Sequence, residues 1–378
     1  MKVGVVKESS AGERRVGLVP DGVTRLTAAG LQVSVQSGAG VEAFIVDDAY
    51  QKVGASIVPE AKKLLQEADA VLKVQPPSLD EVALMRSGAL SISFLQPSAN
   101  ADIVRSLARQ GITAFSLELV PRISRAQSMD ALSSQAGVAG YKSVLMAANR
   151  LGKFFPLLIT AAGTVTPARV LVLGAGVAGL QAIATARRLG AIVEAYDVRP
   201  AVKEEVKSLG AAFVELPLEA QEGQGGYARE QSEEFLKRQR ELIGEHVAAA
   251  DVVITTAAIP GRRAPTLVTR EMVSRMRPGS VIVDLAADTG GNVEATRPGE
   301  VLVLDGVTVD GTRNVASTMP VHASQLFSRN VSALLLSLVK DGALKLDLND
   351  EVVKGACVTH GGDVIHPRAK EALEATKA

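Results

Sequence analysis

Arg169-Val170-Leu171-Val172-Leu173-Gly174-Ala175-Gly176-Val177-Ala178-Gly179-Leu180 is an apolar strand running straight into G-x-G-x-x-G, and an apolar helical pattern over 181–189 comes next. Each position answers a separate physical demand. Gly174 supplies the tight turn, Gly176 lets backbone approach a pyrophosphate, and Gly179 lets the helix pack on the strand. The amides of Val177 and Ala178, in the first turn of that helix, have no carbonyl partner behind them and are offered to an anion. The next strand pattern, 192–196, ends at Asp197-Val198-Arg199, roughly 20 residues beyond the glycines, where an acid accepts the adenosine ribose hydroxyls. A carboxylate there repels a 2′-phosphate, so the reading is NAD(H) rather than NADP(H), although Arg199 pulls the other way. Taken alone, the glycines fit any tight turn of a doubly wound sheet. Strand, helix and terminal acid in register make them a dinucleotide site. Gly38-Ala39-Gly40-Val41-Glu42-Ala43 fails the same test, because no adequate apolar helix comes after it and no acid ends the next strand.

Working outward, further strand patterns lie at 213–215, 252–255, 281–284 and 301–304, and an earlier set lies at 3–6, 33–35, 70–74, 90–95 and 113–117. Helical stretches such as 22–29 and 59–67 alternate with them, which predicts parallel sheets. The fold class is therefore α/β: two Rossmann-like, doubly wound parallel-sheet domains joined by long helices, with a cleft between them. The joining helices are read at 125–150, free of Pro but weakened by Gly137 and Gly140, and at 325–339. The first domain takes 1–125 and 325–378; the nucleotide domain takes 126–324. Thr255-Thr256-Ala257-Ala258-Ile259-Pro260-Gly261 leaves a buried strand at the carboxyl edge of the second sheet. Thr255, Ala257 and Ala258 are read there as lining the NAD ribose and nicotinamide, or else as a strand exit that merely needs small residues. Asp288 leaves the strand at 281–284 toward the same edge. Between 216 and 235 the pattern lapses, notably in Gln221-Glu222-Gly223-Gln224-Gly225-Gly226-Tyr227, which reads as a mobile surface loop or lid.

Composition excludes several functions. Lys plus Arg and Asp plus Glu are each 41 among 378 residues, so no net field draws the chain to nucleic acid or an anionic membrane. Aromatic content of 3% with no Trp removes the stacking surfaces that single-stranded nucleic acid needs. A spanning helix takes about 20 apolar residues, whereas the best stretch, 154–166, soon meets Pro167 and Arg169; no direct membrane insertion is expected. Met1-Lys2-Val3-Gly4-Val5-Val6-Lys7 reads as a first strand rather than a signal peptide, so a soluble, cytoplasmic chain starting at Met1 is expected. The single Cys357 reads as a buried small residue without a catalytic role, and no metal site is expected.

One polar segment stands apart: Arg122-Ile123-Ser124-Arg125-Ala126-Gln127-Ser128-Met129-Asp130-Ala131-Leu132-Ser133-Ser134-Gln135. A nicotinamide carboxamide offers one acceptor and two donors, which Arg, Gln, Asp and Ser could satisfy. Composition alone favours a capped helix start. However, this segment, together with Lys7-Glu8, Glu13-Arg14-Arg15-Val16 and Gly225-Gly226-Tyr227-Ala228, resembles the alanine dehydrogenase and nicotinamide nucleotide transhydrogenase family, over essentially the whole chain. The likeness runs to the NAD(H)-binding domain I of the proton-translocating transhydrogenases. The resemblance implies that Arg122, Gln127, Asp130 and Ser133 form the loop near the nicotinamide and that Tyr227 belongs to a loop closing over bound nucleotide. It also makes Asp197 the ribose acid. It implies a homodimer docking on an NADP(H)-binding domain of a beta subunit, with a separate membrane alpha subunit coupling hydride transfer to proton passage. The chain would then lie peripherally on the cytoplasmic face of the inner membrane.

Two other readings stay open. An alanine dehydrogenase on the same fold needs a substrate Arg, a Lys and a general acid/base, usually His. Arg15, Lys73 and Asp288 are present, but Phe94-Leu95-Gln96-Pro97 carries Gln96 where such enzymes carry His. His246, His322, His360 and His366 sit in helical, loop or tail contexts. A non-enzymatic NAD-binding scaffold is the third reading, and the polar segment and the lid argue against it.

Overall fold

A computed structural model describes residues 1–216, 233–258 and 263–375 of the 378-residue chain. It divides into two compact units, Met1–Gln135 with Ser317–Ala378, and Ala136–Ala316. The sequence places these limits at 125/126 and 324/325.

The first unit opens with six strands, β1 (Lys2–Val5), β2 (Gln32–Gln36), β3 (Ser56–Val58), β4 (Ala70–Leu72), β5 (Leu90–Ser93) and β6 (Thr113–Ser116). They pair in parallel in the order β3-β2-β1-β4-β5-β6. β4, β5 and β6 are buried along their whole length, as strands covered on both faces must be. Apolar clusters lie on either face: Leu18, Tyr50, Leu90 and Phe327 in one, Leu65, Val71, Leu107 and Val358 in the other.

The first strands of the second unit form a small antiparallel hairpin, β7 (Leu158–Thr160) and β8 (Gly163–Val165), within the apolar stretch 154–166. Its sheet consists of β9 (Arg169–Leu173), β10 (Ile192–Tyr196), β11 (Ala212–Phe213), β12 (Val252–Thr255), β13 (Val281–Asp284), β14 (Val301–Leu304) and β15 (Val307–Asp310). The order is β11-β10-β9-β12-β13-β15-β14, parallel except for the terminal β14/β15 pair. Strand order reverses between β9 and β12, the point at whose carboxyl edge such open sheets bind ligands. The alternation in the sequence thus gives the α/β class and both parallel sheets.

Two helices start elsewhere than the sequence suggests. The long helix is Ala131–Arg150, because Ser124–Met129 forms a 3-10 turn. Asp130 stops that turn and caps the long helix, its carboxylate accepting the Ser133 amide at 2.8 Å and the Ser133 hydroxyl at 2.6 Å. The returning helix is Pro320–Ser337, with Pro320 at its first position, where a missing N–H costs nothing.

The chain then adds a short hairpin, β16 (Val339–Lys340) and β17 (Ala343–Leu344), and two strands missed from sequence, β18 (Cys357–His360) and β19 (Asp363–Val364). These last two extend the first sheet antiparallel beyond β6, making it eight-stranded. Among the described residues no helix is long and apolar enough to cross a membrane.

Candidate nucleotide site

In the second unit the three glycines of the β9 exit meet different surroundings. Gly174 has φ +98°, and a Cβ on it would lie 2.6 Å from Thr256 Oγ1. A Cβ on Gly179 would sit 1.8 Å from the carbonyl oxygen of Gly174, so only glycine lets the helix close on the turn. Gly176 has nothing within 4 Å of such a Cβ, so the fold itself does not require glycine there, and the space in front of it is open. It caps the twelve-residue helix Val177–Arg188, which has no side-chain cap of its own. An open approach and a first turn left uncapped are what a pyrophosphate needs, so the residues present fit a dinucleotide. Val177 is exposed and Ala178 half-buried at this mouth.

Thr256 fastens β12 to the turn: its amide donates to the Leu173 carbonyl at 2.8 Å and its hydroxyl to the Gly174 carbonyl at 3.0 Å. Behind it stands Asn292, fully buried, which accepts the Ala257 amide at 3.0 Å and donates to the Ala257 and Pro265 carbonyls at 2.8 Å each. Asp284, also fully buried, accepts the amides of Ala286, Asn292 and Val293 and the hydroxyls of Thr255 and Thr296. Thr255 therefore spends its hydroxyl inward, while Ala257 is half-buried and Ala258 exposed at the rim. Sequence reasoning missed Thr256, Asn292 and Asp284. The small-residue run after β12 flagged the loop, but nothing local marks its Asn292 clasp. Ile259, Pro260 and Gly261 lie outside the described residues.

Asp197 stands at the end of β10, with Oδ2 2.7 Å from the Ala175 amide that donates to it. Arg199 grips the same carboxylate, with Nη2 on Oδ2 at 2.8 Å and Nε on Oδ1 at 2.9 Å. Val198 packs on the cluster that holds Leu171 and Leu173.

In the first unit, Asp130 and Ser133 are joined in the helix cap, Gln127 and Arg122 are exposed, and Gln135 is buried. Tyr227, with the rest of Gln221–Tyr227, lies outside the described residues. A second polar group, missed as a group from sequence, gathers at the carboxyl ends of β1 and β4. Lys73 Nζ is 2.8 Å from Glu81 and 3.8 Å from Glu8. Arg15 is held by Glu13 at 2.6 Å and donates to Gln135 at 2.8 Å; Glu13 also accepts from Gln75 at 2.7 Å. Burial pushes the Glu8 carboxyl up to about 7, against the pull of Lys73 and the Val74 amide. From sequence its members stood out only separately, Lys7-Glu8 and Glu13-Arg14-Arg15-Val16 in the family resemblance and Arg15 and Lys73 as residues an alanine dehydrogenase would use.

Gln96 has φ +48°, and its amide donates to the buried Glu118 carboxylate. Of the histidines, His246 pairs with Glu194 at 2.8 Å and His360 meets the Thr113 hydroxyl at 3.1 Å. Asp288 is engaged by Arg313 at 2.7 Å and the Asn314 amide at 3.0 Å. Among the described residues no cluster of His, Cys, Asp and Glu could hold a metal ion.

Fold and turn together define a two-unit, Rossmann-like α/β protein of the nucleotide-binding kind. Models described as "Alanine dehydrogenase/PNT, N-terminal domain" and "Alanine dehydrogenase/PNT, C-terminal domain" match residues 4–139 and 143–367, and the chain belongs to that family. It is 49% identical over 377 residues to an NAD(P) transhydrogenase subunit alpha polypeptide of Rhodospirillum rubrum, covering 97% of this chain and 98% of that one. A crystal structure of transhydrogenase from Sinorhizobium meliloti aligns with a TM-score of 0.86 at 44% identity, covering 97% of this chain and all of that one. The alanine dehydrogenase of Bacillus subtilis is 30% identical over 376 residues, covering 97% and 93%.

Proposed function

We propose that this chain is the NAD(H)-binding component of a proton-translocating transhydrogenase. In this reading the pyrophosphate rests on Gly176, Val177 and Ala178, and Asp197 takes the adenosine ribose. Bound NAD(H) supplies the hydride chemistry. Arg122, Gln127, Asp130 and Ser133 orient the nicotinamide, and Tyr227 closes on the nucleotide. These last roles rest on the resemblance.

Hydride then passes to or from NADP(H) held by the NADP(H)-binding domain of a beta subunit. A separate membrane alpha subunit couples that transfer to protons, and the chain works as a homodimer, peripheral on the cytoplasmic membrane face. The observation that carries the reading is the uncapped helix start behind Gly176, on a chain 49% identical to a transhydrogenase subunit. Direct transfer between two nicotinamides needs no general acid or base within this chain, only two carbons held roughly 3–3.5 Å apart.

The dehydrogenase reading, which the 30% identity to an alanine dehydrogenase keeps in view, fits the side chains less well. Gln96 exchanges no proton near neutral pH. A substrate carboxylate would also have to displace Glu13 from Arg15 and Glu81 from Lys73, all four side chains being buried or nearly so. The test is to mix the chain, NADH, an oxidised NADP analogue and the soluble beta-subunit domain. Rapid transfer is expected only with all four present, and none from L-alanine to NAD. Robust alanine-dependent NAD reduction by the chain alone would overturn the reading.

A further inference from the structure

The carboxylate of Asp197 has no acceptor position to spare. Oδ2 receives the Ala175 amide at 2.7 Å and Arg199 Nη2 at 2.8 Å; Oδ1 receives the Arg199 amide and Arg199 Nε, both at 2.9 Å. An ionised carboxylate offers about four lone-pair sites, and four donors fill them. Two of those donors are backbone amides fixed by the β9 turn and the β10 exit. The other two belong to a guanidinium on a long side chain that is 21% exposed, while Asp197 is 7% exposed. A ribose diol brings two O–H donors and needs two acceptor positions. Only the guanidinium can yield them.

We infer that Arg199 is the specificity-determining residue of this site: a ribose diol must displace its guanidinium from Asp197, and a 2′-phosphate would capture it. The inference rests on the proposed seat of the dinucleotide. With a plain ribose, Asp197 exchanges one charged partner for two hydroxyls, and Arg199 turns to water. With a 2′-phosphate, repulsion from Asp197 is offset by Arg199, whose planar fork matches phosphate as well as carboxylate. Arg199 thus competes with one nucleotide and assists the other. Its removal shifts the two affinities in opposite directions, which a merely structural arginine would not do.

The test is titration of the full chain with NADH and with NADPH, with thermal midpoints confirming that each variant is folded. Arg199→Ala should bind NADH several-fold more tightly, and NADPH about tenfold more weakly, as loss of a charge-assisted contact implies. Asp197→Ser should gain at least about tenfold in NADPH affinity over the native chain by releasing Arg199, and Asp197→Ser/Arg199→Ala should lose that gain. Weaker NADH binding by Arg199→Ala, or equal NADPH affinity in the single and double Asp197 variants, would overturn the role of Arg199 alone. If Asp197→Ser left NADH affinity at its native value, the ribose would not lie there and the seat itself would fail.

Discussion

A Cβ built on Gly140 would lie 2.1 Å from the carbonyl oxygen of Ala178, well inside the contact distance of carbon and oxygen. The helix Ala131–Arg150 therefore passes directly against the first turn of Val177–Arg188, the turn proposed to carry the pyrophosphate. Gly137, three residues earlier on the same helix, has nothing within 4 Å of an added Cβ. From sequence both glycines read as weak points of one helix; they are unlike.

Gly140→Ala is expected to destabilise the protein by about 1–3 kcal/mol or to prevent folding, because backbone must move to admit the methyl. Gly137→Ala is expected to stabilise it by about 0.5–1 kcal/mol, since the helix loses its most flexible residue without a clash. Denaturant unfolding of the two variants checks both signs.

Gly176→Ala and Gly179→Ala should part stability from binding. The first leaves the fold intact, because its Cβ meets nothing, but fills the space in front of the helix start; unchanged unfolding with a large loss of NADH affinity is expected. The second clashes at 1.8 Å and should lower the unfolding midpoint as well. Undiminished NADH binding by Gly176→Ala would remove the pyrophosphate from this turn.

Stability should fall as pH rises from about 4.5 to about 7, in part through Glu8, whose carboxyl burial raises from 4.5 to about 7. The sign comes from linkage: over that range the folded state holds a proton that the unfolded state has released, so each step up in pH favours unfolding. Lys73, Glu13 and the Val74 and Gln75 amides act on it. Glu8→Gln, uncharged at every pH, should flatten the profile; an identical slope in both proteins would place the titration elsewhere.

Asn292→Ala should cost about 2–4 kcal/mol, since it strips partners from the Ala257 amide and carbonyl and the Pro265 carbonyl around a buried position. Loosening the loop that seats Thr256 should also weaken NADH binding. Calorimetric unfolding and titration measure the two effects separately.

Gln127→Ala is expected to slow hydride transfer more than it weakens NADH binding, with no change in stability, because the side chain is exposed. Asp130→Ala should show the same kinetic split and also lose about 1 kcal/mol of stability, since its carboxylate caps the long helix through Ser133. A loss confined to affinity, with the saturated rate intact, would count against an orienting role.

The two parallel α/β sheets and the glycine turn could be read from the residues in order along the chain. Val170–Leu173, Gly174, Gly179 and Asp197 were legible because the demands on them are local. A strand's apolar run, a turn's positive φ and an acid at the next strand's end all lie within one β-α-β stretch. The start of the long helix at Asp130 was only half legible, since a polar segment rich in Ser and Asp reads equally as cap or loop.

The partners of these residues emerged only in the folded chain. Thr256 meets Gly174, Asn292 meets Ala257, and Glu8 meets Val74 across stretches set by which strand lies beside which, and spacing along the chain does not encode sheet order. Folding likewise settled that β18 and β19, short strands in the tail, extend the first sheet. It filled Asp197 with Arg199, two positions away: the sequence placed both residues, but side-chain geometry is needed to show the guanidinium taking the oxygens that a ribose would need.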